Sequence, residues 1–246
     1  MTERFFFLSD AHLGSRHDGQ DRREEKLIRF CRTIRGASAL YLLGDIFDFW
    51  FEYGSVVPSA HFRTLCAFRE LIEAGTEVHY IGGNHDFWAG DFLTREVGII
   101  LHVEPVTVTL AGQQVRLRHG DGFLPGDRFY PLFKRIVRNR CNVALYKLIH
   151  PAVGMPLARF VSGRSRRFID SHINLDKISA AYREEALKRL STLPEAVLIM
   201  GHTHKADMAV IGNKRYINTG NWMTDFDYLS LCDGHYQLER FEGNQS

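Results

Sequence analysis

Five predicted strands in this chain, four of them apolar runs and one the arm of a hairpin, each stop at a cluster of Asp, Asn or His. Residues 5–8 give way to Ser9-Asp10-Ala11-His12, residues 39–43 to Gly44-Asp45, and residues 77–81 to Gly82-Gly83-Asn84-His85-Asp86. Residues 114–118 lead into His119-Gly120-Asp121, and residues 196–200 into Gly201-His202-Thr203-His204. Short apolar runs of this kind read as buried strands, and open α/β sheets gather ligands at the carboxyl ends of their strands. Taken singly, each cluster is weak. Asp-x-His in a loop is ordinary polar surface, and Gly-Asp after a strand is a common helix entry with Asp as the cap. Five strand ends carrying the same residue types are a different matter. Polar groups gathered there cost free energy unless they are paired or bind a metal. Carboxylate, imidazole and amide oxygen are donors for a hard-to-borderline divalent ion, so the pattern predicts a site for two metal ions.

The rest of the chain supports a layered fold. Residues 21–34 have helical spacing, with Leu27, Phe30, Cys31 and Ile34 on one face. A second helix is predicted over 58–74, opened by Pro58 and stopped by Gly75. Strand–helix–strand–helix–strand at this pace implies parallel pairing. Hairpins follow at 106–110 with 114–118, at 208–211 with 215–218, and at 228–232 with 236–241. Residues 126–192 show no strand signal and read as about three helices. The expected architecture is α/β (α+β): a β-sandwich flanked by helices. The expected organisation is a single domain over 1–246 with a helical cap inserted at about 123–192.

Charge adds a clue about partners. The net charge is +2, yet residues 126–169 hold ten Lys/Arg against one acidic residue, Asp127. Such a block points to an anionic partner. Within it, a helix predicted over 131–149 sets Leu132, Phe133, Ile136, Val137, Cys141, Ala144, Leu145 and Leu148 on one side. Lys134, Arg135, Arg138 and Lys147 fall largely elsewhere. This helix suits a membrane surface or an anionic ligand, or it is a packed helix with a solvated basic face. Arg164-Ser165-Arg166-Arg167 concentrates donors for phosphate, or is a loop between helices. Phe47, Phe49, Trp50, Phe51, Phe87 and Trp88 crowd two of the polar clusters, either as loop packing or as an apolar wall beside a substrate. No apolar run approaches the roughly 18 residues of a membrane span, and the N-terminus lacks signal-peptide features. Cys31, Cys66, Cys141 and Cys232 have no paired spacing, which favours reduced thiols and a cytoplasmic location.

Asp-x-His, Gly-Asp, Gly-Asn-His-Asp, His-Gly-Asp and Gly-His-Thr-His, in this order, resemble the calcineurin-like metallophosphoesterases. The resemblance implies that Asp10, His12 and His204 hold one ion, that Asn84, His119 and His202 hold the other, and that Asp45 bridges them. Two ions so placed clamp the attacking and phosphoryl oxygens, and no side-chain nucleophile is needed. His85 is then left as a catalytic hydrogen-bond or proton donor. Asp86 would orient its imidazole or cap the next helix.

Gly-Asp-x-Phe-Asp at 44–48, Gly126-Asp127, the Arg-Ser-Arg of the cap and Asn218-Thr219-Gly220-Asn221-Trp222 are similar to one branch of that family. This is the UDP-2,3-diacylglucosamine diphosphatases of lipid A biosynthesis. The likeness implies cleavage of a UDP-linked diacyl sugar lipid to UMP and diacylglucosamine 1-phosphate. It implies manganese as the commonest ion, and peripheral contact with the cytoplasmic face of the inner membrane. It also implies substrate contacts from Asn84, His85, Asp127, Ser165, Arg166 and His202. One departure stands out: the better-known members carry Arg where this chain has His85. Arg only stabilises charge, whereas His also transfers a proton. The competing reading is a phosphodiesterase acting on a soluble nucleotide or nucleic acid. A binding scaffold with a silent site would have lost ligands, and none of the seven is missing.

Overall fold

The computed structural model describes residues 3–15, 20–54, 56–102, 105–125, 134–158 and 174–243. Strand β1 (Arg4–Leu8) leads to helix α1 (Gln20–Thr33), β2 (Ala39–Leu42), a 3-10 turn at Ser59–His61, α2 (Phe62–Glu73) and β3 (Glu77–Ile81). A π-helical turn at Leu93–Val97 precedes β4 (Ile100–His102). The hairpin β5 (Val106–Leu110) and β6 (Gln113–Leu117) follows, then α3 (Arg140–Lys147), α4 (Leu175–Leu190) and β7 (Val197–Met200). The chain continues through β8 (Ala206–Ile211), β9 (Lys214–Thr219), β10 (Asp227–Cys232) and β11 (His235–Arg240).

The strands form two sheets, ordered β11-β10-β1-β2-β3-β4 and β5-β6-β7-β9-β8. In the first, β1 to β4 run parallel. In the second, β6, β7 and β9 do so. Alternation along each strand explains why the sheets stack. Phe5 and Phe7 of β1, with Ala39 and Tyr41 of β2, enter the core between the sheets, where Val197, Ile199 and Ile217 meet them. Leu8, Leu40 and Leu42 enter the opposite core, against Leu27, Phe30, Leu65 and Phe68 of α1 and α2. Leu198, Met200 and Tyr216 face Tyr182, Ala186 and Leu190 of α4. Strands buried on both faces read as unbroken apolar runs, which is why 5–8 and 196–200 stand out in the sequence. Each fully buried Leu or Phe here contributes about 1.5–3 kcal/mol. The expected helix-flanked β-sandwich is the fold observed.

Three expectations need correction. β4 and the π turn carry no signal in the sequence; β4 has only the edge of a sheet to pair with and leaves Ile100 exposed. The single helix expected over 131–149 is broken: a helical turn at 134–137 ends before α3. Asn139 lies between them in extended conformation, and its side chain accepts a hydrogen bond from Cys141 N at 2.9 Å. It is the N-cap of a second helix. Finally, α4 falls inside the span expected for the cap, yet it packs as the outer layer of the second sheet.

Candidate metal centre

The carboxyl ends of β1, β2, β3, β6 and β7 come to one edge of the sandwich. Backbone bonds tie the loops there: Asp10 N donates to Gly44 O (3.1 Å), His12 N to Asp45 O (2.9 Å) and Gly201 N to His119 O (2.9 Å). The sheets are also joined by site residues. His119 Nδ1 donates to Leu43 O at 2.8 Å, and Asp10 Oδ2 accepts from His202 N at 2.9 Å.

The backbone is bent hard to do this. Asp10 (φ 54°), His12 (44°), Asp45 (54°), His202 (72°) and His204 (57°) all sit in the left-handed region. A non-glycine residue held in such a conformation costs about 1–3 kcal/mol, so the fold is holding these five side chains against their preferences. Gly83 is required by close approach: a Cβ there would lie 2.1 Å from Asp45 Oδ1.

All seven residues expected to bind ions are brought together. His204 Nε2 lies 3.3 Å from Asp10 Oδ1 and 3.4 Å from His12 Nε2. His119 Nε2 lies 3.1 Å from Asn84 Oδ1, 3.2 Å from His202 Nδ1 and 3.4 Å from Asp45 Oδ2. Asp45 Oδ2 is also 3.8 Å from His12 Nε2, placing this carboxylate between the two groups. Donor atoms sharing an ion at about 2.1 Å lie roughly 3 Å apart, so these separations suit two small divalent ions. Asp10, His12 and His204 converge as one cluster able to hold an ion, and Asp10, Asp45 and His119 as another. Asp10 Oδ1 is buried and has no well-formed hydrogen bond among the described residues, with His204 Nε2 its neighbour at 3.3 Å. A carboxylate oxygen so placed at that depth is what a cation would satisfy, so the residues fit the ions.

The electrostatics agree. Burial pushes the Asp45 carboxyl upward, but the charges of His119, His85 and His12 outweigh it and hold Asp45 well below the usual carboxylate range. Burial pushes His119 downward; the Asp45 carboxylate beside it wins and holds the imidazole well above its ordinary value. His202 is pushed down to about 4 by burial and by the charge of His119.

His85 presents Nε2 at 3.8 Å from Asp45 Oδ2, and with His12 and Asp45 it forms a further cluster of possible ligand atoms. Its Nδ1 lies 3.2 Å from the carbonyl oxygen of Asp48. A carbonyl only accepts, so Nδ1 carries the hydrogen and Nε2 faces the site.

Asp86 is a correction. It neither orients the His85 ring nor caps a helix. It is fully buried, and its carboxylate accepts from the backbone N–H of Asp45 (3.1 Å), Ile46 (2.7 Å), Phe47 (3.2 Å) and Gly83 (2.8 Å). Tyr80 Oη donates to it as well. Asp86 therefore pins the loop that carries Asp45 to the turn that carries Asn84. The aromatic runs also resolve. Phe47 and Trp50 belong to the core. Phe49, Phe51 and Trp88 instead form a floor on which Tyr146 of α3 rests, its ring centroid 4.6 Å from that of Phe51. Asp127, Ser165 and Arg166 lie outside the described residues.

Several supporting residues escaped the sequence reading. Ser9 Oγ donates to Asp10, Asn221 Nδ2 to His204 O at 2.9 Å, and the buried Arg23 to Ala11 O and His12 O, each at 3.3 Å. In the sequence the Asn218–Trp222 stretch stands out by resemblance alone. Its buried position beside two of the clusters supplies the reason: Trp222 N donates to Ser9 O at 3.1 Å.

A sandwich of this topology with this set of strand-end donors defines a calcineurin-like phosphoesterase. The family model of that description matches residues 3–206, and the chain belongs to the family. Its similarity runs further. A UDP-2,3-diacylglucosamine hydrolase of Porphyromonas gingivalis is 37% identical over 251 aligned positions, covering 95% of each chain. One of Ectopseudomonas mendocina is 31% identical over 220, covering 87% of this chain and 88% of the other. Among solved structures, an archaeal phosphodiesterase aligns with a TM-score of 0.49 at 15% identity, over 96% of this chain and 99% of that one.

Proposed function

We propose that this protein hydrolyses UDP-2,3-diacylglucosamine to UMP and 2,3-diacylglucosamine 1-phosphate, with two divalent ions, Mn²⁺ in the cell. The observation that carries the reading is the relative at 37% identity over 95% of both chains, named for this substrate, on a chain that keeps all seven donors.

In this reading Asp10, His12 and His204 hold one ion, Asn84, His119 and His202 the other, and Asp45 bridges. The mixed nitrogen and oxygen donors suit Mn²⁺. When bound, the ions supply Lewis acidity toward the phosphoryl oxygens and an attacking water. The water oxygen joins the α-phosphorus, and the bond from that phosphorus to the bridging oxygen breaks. The bridging oxygen leaves with the sugar phosphate, and one water proton is released. His85 directs Nε2 at the reacting group, fixed by its bond to Asp48 O, and acts there as a hydrogen-bond or proton donor when its ring is charged. Asp86 acts at one remove, through the amides of Asp45 and Gly83. Asn84, His85, Asp127, Ser165, Arg166 and His202 contact the substrate.

The cap supports a lipid substrate. We place residues 1–246 in one domain whose cap precedes α4. Of that cap, Ile136, Leu145, Leu148, Val153 and Leu157 are exposed, among basic residues such as Lys147. No described helix is long and apolar enough to cross a membrane; an exposed apolar and basic face instead suits peripheral contact with an anionic bilayer on the cytoplasmic side. Incubating the Mn²⁺-loaded protein with UDP-2,3-diacylglucosamine in ¹⁸O-water should release UMP carrying the label. Faster turnover of cyclic nucleotides or single-stranded DNA than of the lipid would overturn this assignment.

A further inference from the structure

The cap brings a cluster of cations against the metal-site turns. Lys134, Arg135, Arg138, Asn139 and Arg140 line a shallow groove of about 590 Å³, with no acidic residue among the described residues of its wall. Lys134 is engaged with the buried Asp121, at 2.7 Å. The three arginines are not so engaged. Elsewhere Arg35, Arg116, Arg183 and Arg189 are paired with Glu70, Glu195, Asp207 and Glu185. Arg135, Arg138 and Arg140 have no carboxylate partner among the described residues.

Arg138 is the member nearest the chemistry. Its Nη2 donates to Gly83 O at 3.3 Å, and its guanidinium lies 4.5 Å from the centroid of the Phe87 ring. Its Nε is buried with no hydrogen-bond partner. An unmet donor on a buried charged group is costly, so this guanidinium is held in place with donor capacity to spare. The residue it grips is decisive. Gly83 packs so closely on Asp45 that even a methyl would collide with the carboxylate, and Asn84 is the next residue along. Arg138 thus grips a turn that itself touches the bridging carboxylate. Trp88 Nε1 donates to Val137 O at 3.1 Å, fixing the same helical turn from the other side of Phe87. The backbone beside Arg138 is therefore held to the metal-site turns at two points.

We propose that Arg138 is a substrate-binding residue for the phosphate that is not attacked, the one that leaves with the sugar, and that Arg135 and Arg140 extend a positive path for it along the groove. The inference rests on the two-metal pyrophosphate reading above and adds to it a residue for the second phosphorus. As the bond from the α-phosphorus to the bridging oxygen breaks, its electron pair moves onto the leaving phosphate, which gains negative charge. A fixed guanidinium there interacts more strongly with the transition state than with the ground state. Its planar fork of donors matches phosphate oxygens.

The test is calorimetric binding of α,β-methylene-UDP, which has two phosphorus atoms and cannot be cleaved between them, against UMP, which has one. Both are titrated into Mn²⁺-loaded protein. Wild type should bind the two-phosphorus ligand more tightly. Arg138→Ala should weaken it about 10- to 100-fold, the range for a lost charged hydrogen bond, and move UMP less than about threefold. Arg138→Gln keeps a donor for Gly83 O but loses the charge; it should show the same selective loss even if the alanine variant fails to load Mn²⁺. Equal losses for both ligands would mean that Arg138 only braces the Gly83 turn, and no loss for either would also overturn the proposal. The lipid assignment is separable: a wild type that ignores UDP-2,3-diacylglucosamine but discriminates these two ligands through Arg138 defeats that assignment alone.

Discussion

At the strand ends the polar residues are inside; on the cap the apolar residues are outside. Asp10, Asp45, Asp86 and His119 have almost no exposed surface, whereas Ile136, Leu145, Leu148, Val153 and Leu157 are between 51% and 82% exposed. Both arrangements are unfavourable in an isolated chain, but different things relieve them. The buried carboxylates and imidazoles are satisfied by each other, by backbone amides and by ions held in a fixed geometry, so this region is committed to one kind of chemistry. The cap side chains have no such cover among the described residues. In the proposed function the first region sets the reaction, and the second sets what is brought to it.

The sharpest way to break that division is Asp45→Ala. Removing the bridging carboxylate should lower metal-dependent hydrolysis at least about 1,000-fold on any phosphoester, measured at saturating Mn²⁺. A variant retaining wild-type rate would show that Asp45 does not bridge.

Asp86→Ala comes next, and its effect should appear first in stability. Four backbone amides and Tyr80 Oη would lose their buried acceptor, and breaking such a network costs about 4 kcal/mol or more. Denaturant unfolding of the metal-free protein reads this directly. Asp86→Asn should recover part of it. If both variants were as stable as wild type but inactive, Asp86 would belong to the chemistry after all.

The third test is pH. In the metal-free protein, burial pushes His119 down but Asp45 outweighs it, so the folded imidazole titrates well above its ordinary value of 6.5. The stability this pair contributes is fully present below pH 6.5 and is lost as pH rises through the raised value. Ion binding must displace the same proton. Ion affinity should therefore climb with pH across that window, by up to about tenfold per unit for each proton released. Calorimetry at pH 6, 7 and 8 in buffers of different ionisation enthalpy would expose both the trend and the proton; a flat profile would mean that His119 is neutral before the ion arrives.

On the cap, Leu145→Ser combined with Leu148→Ser should weaken co-sedimentation with anionic vesicles about tenfold while leaving the bound metal content unchanged. Undiminished vesicle binding would remove these residues from any membrane contact. Smallest of all, Arg69→Ala breaks an exposed helix pair with Glu73, 2.7 Å apart. It should change stability by less than about 0.5 kcal/mol, which sets the background for the others.

The two regions were also unequally legible in the sequence. Six of the seven donors follow apolar strands whose termination is itself a signal, and His119 follows the alternating second arm of a hairpin. The core faces of β1, β2 and β7 followed from the same runs. What escaped depended on contacts distant in sequence. Asp86 looked like a partner for its neighbour His85, because nothing local shows that the amides of residues 45–47 arrive beside it from β2. Asn221 and Arg23 are polar residues with no pattern of their own, given roles by loops folded against them. On the cap, apolar spacing over 131–149 suggested one helix; the capping propensity of Asn139 was the signal that divides it, and periodicity alone did not weigh it. That spacing allows a membrane- or ligand-facing helix or a packed one, and the structure leaves Leu145 and Leu148 in the open.

The pairing of β1 with β10, and the bond from Trp222 N to Ser9 O, have a consequence for biosynthesis. The first polar cluster to leave the ribosome is Asp10-Ala11-His12, but the residues that close over it are more than 190 positions away along the chain. Domains fold as units during synthesis, and here a nascent chain has no complete cradle until β10 has emerged. In the proposed two-metal reading the cradle is complete only once both ends of the chain have met, so metal loading would follow the closing of the sandwich.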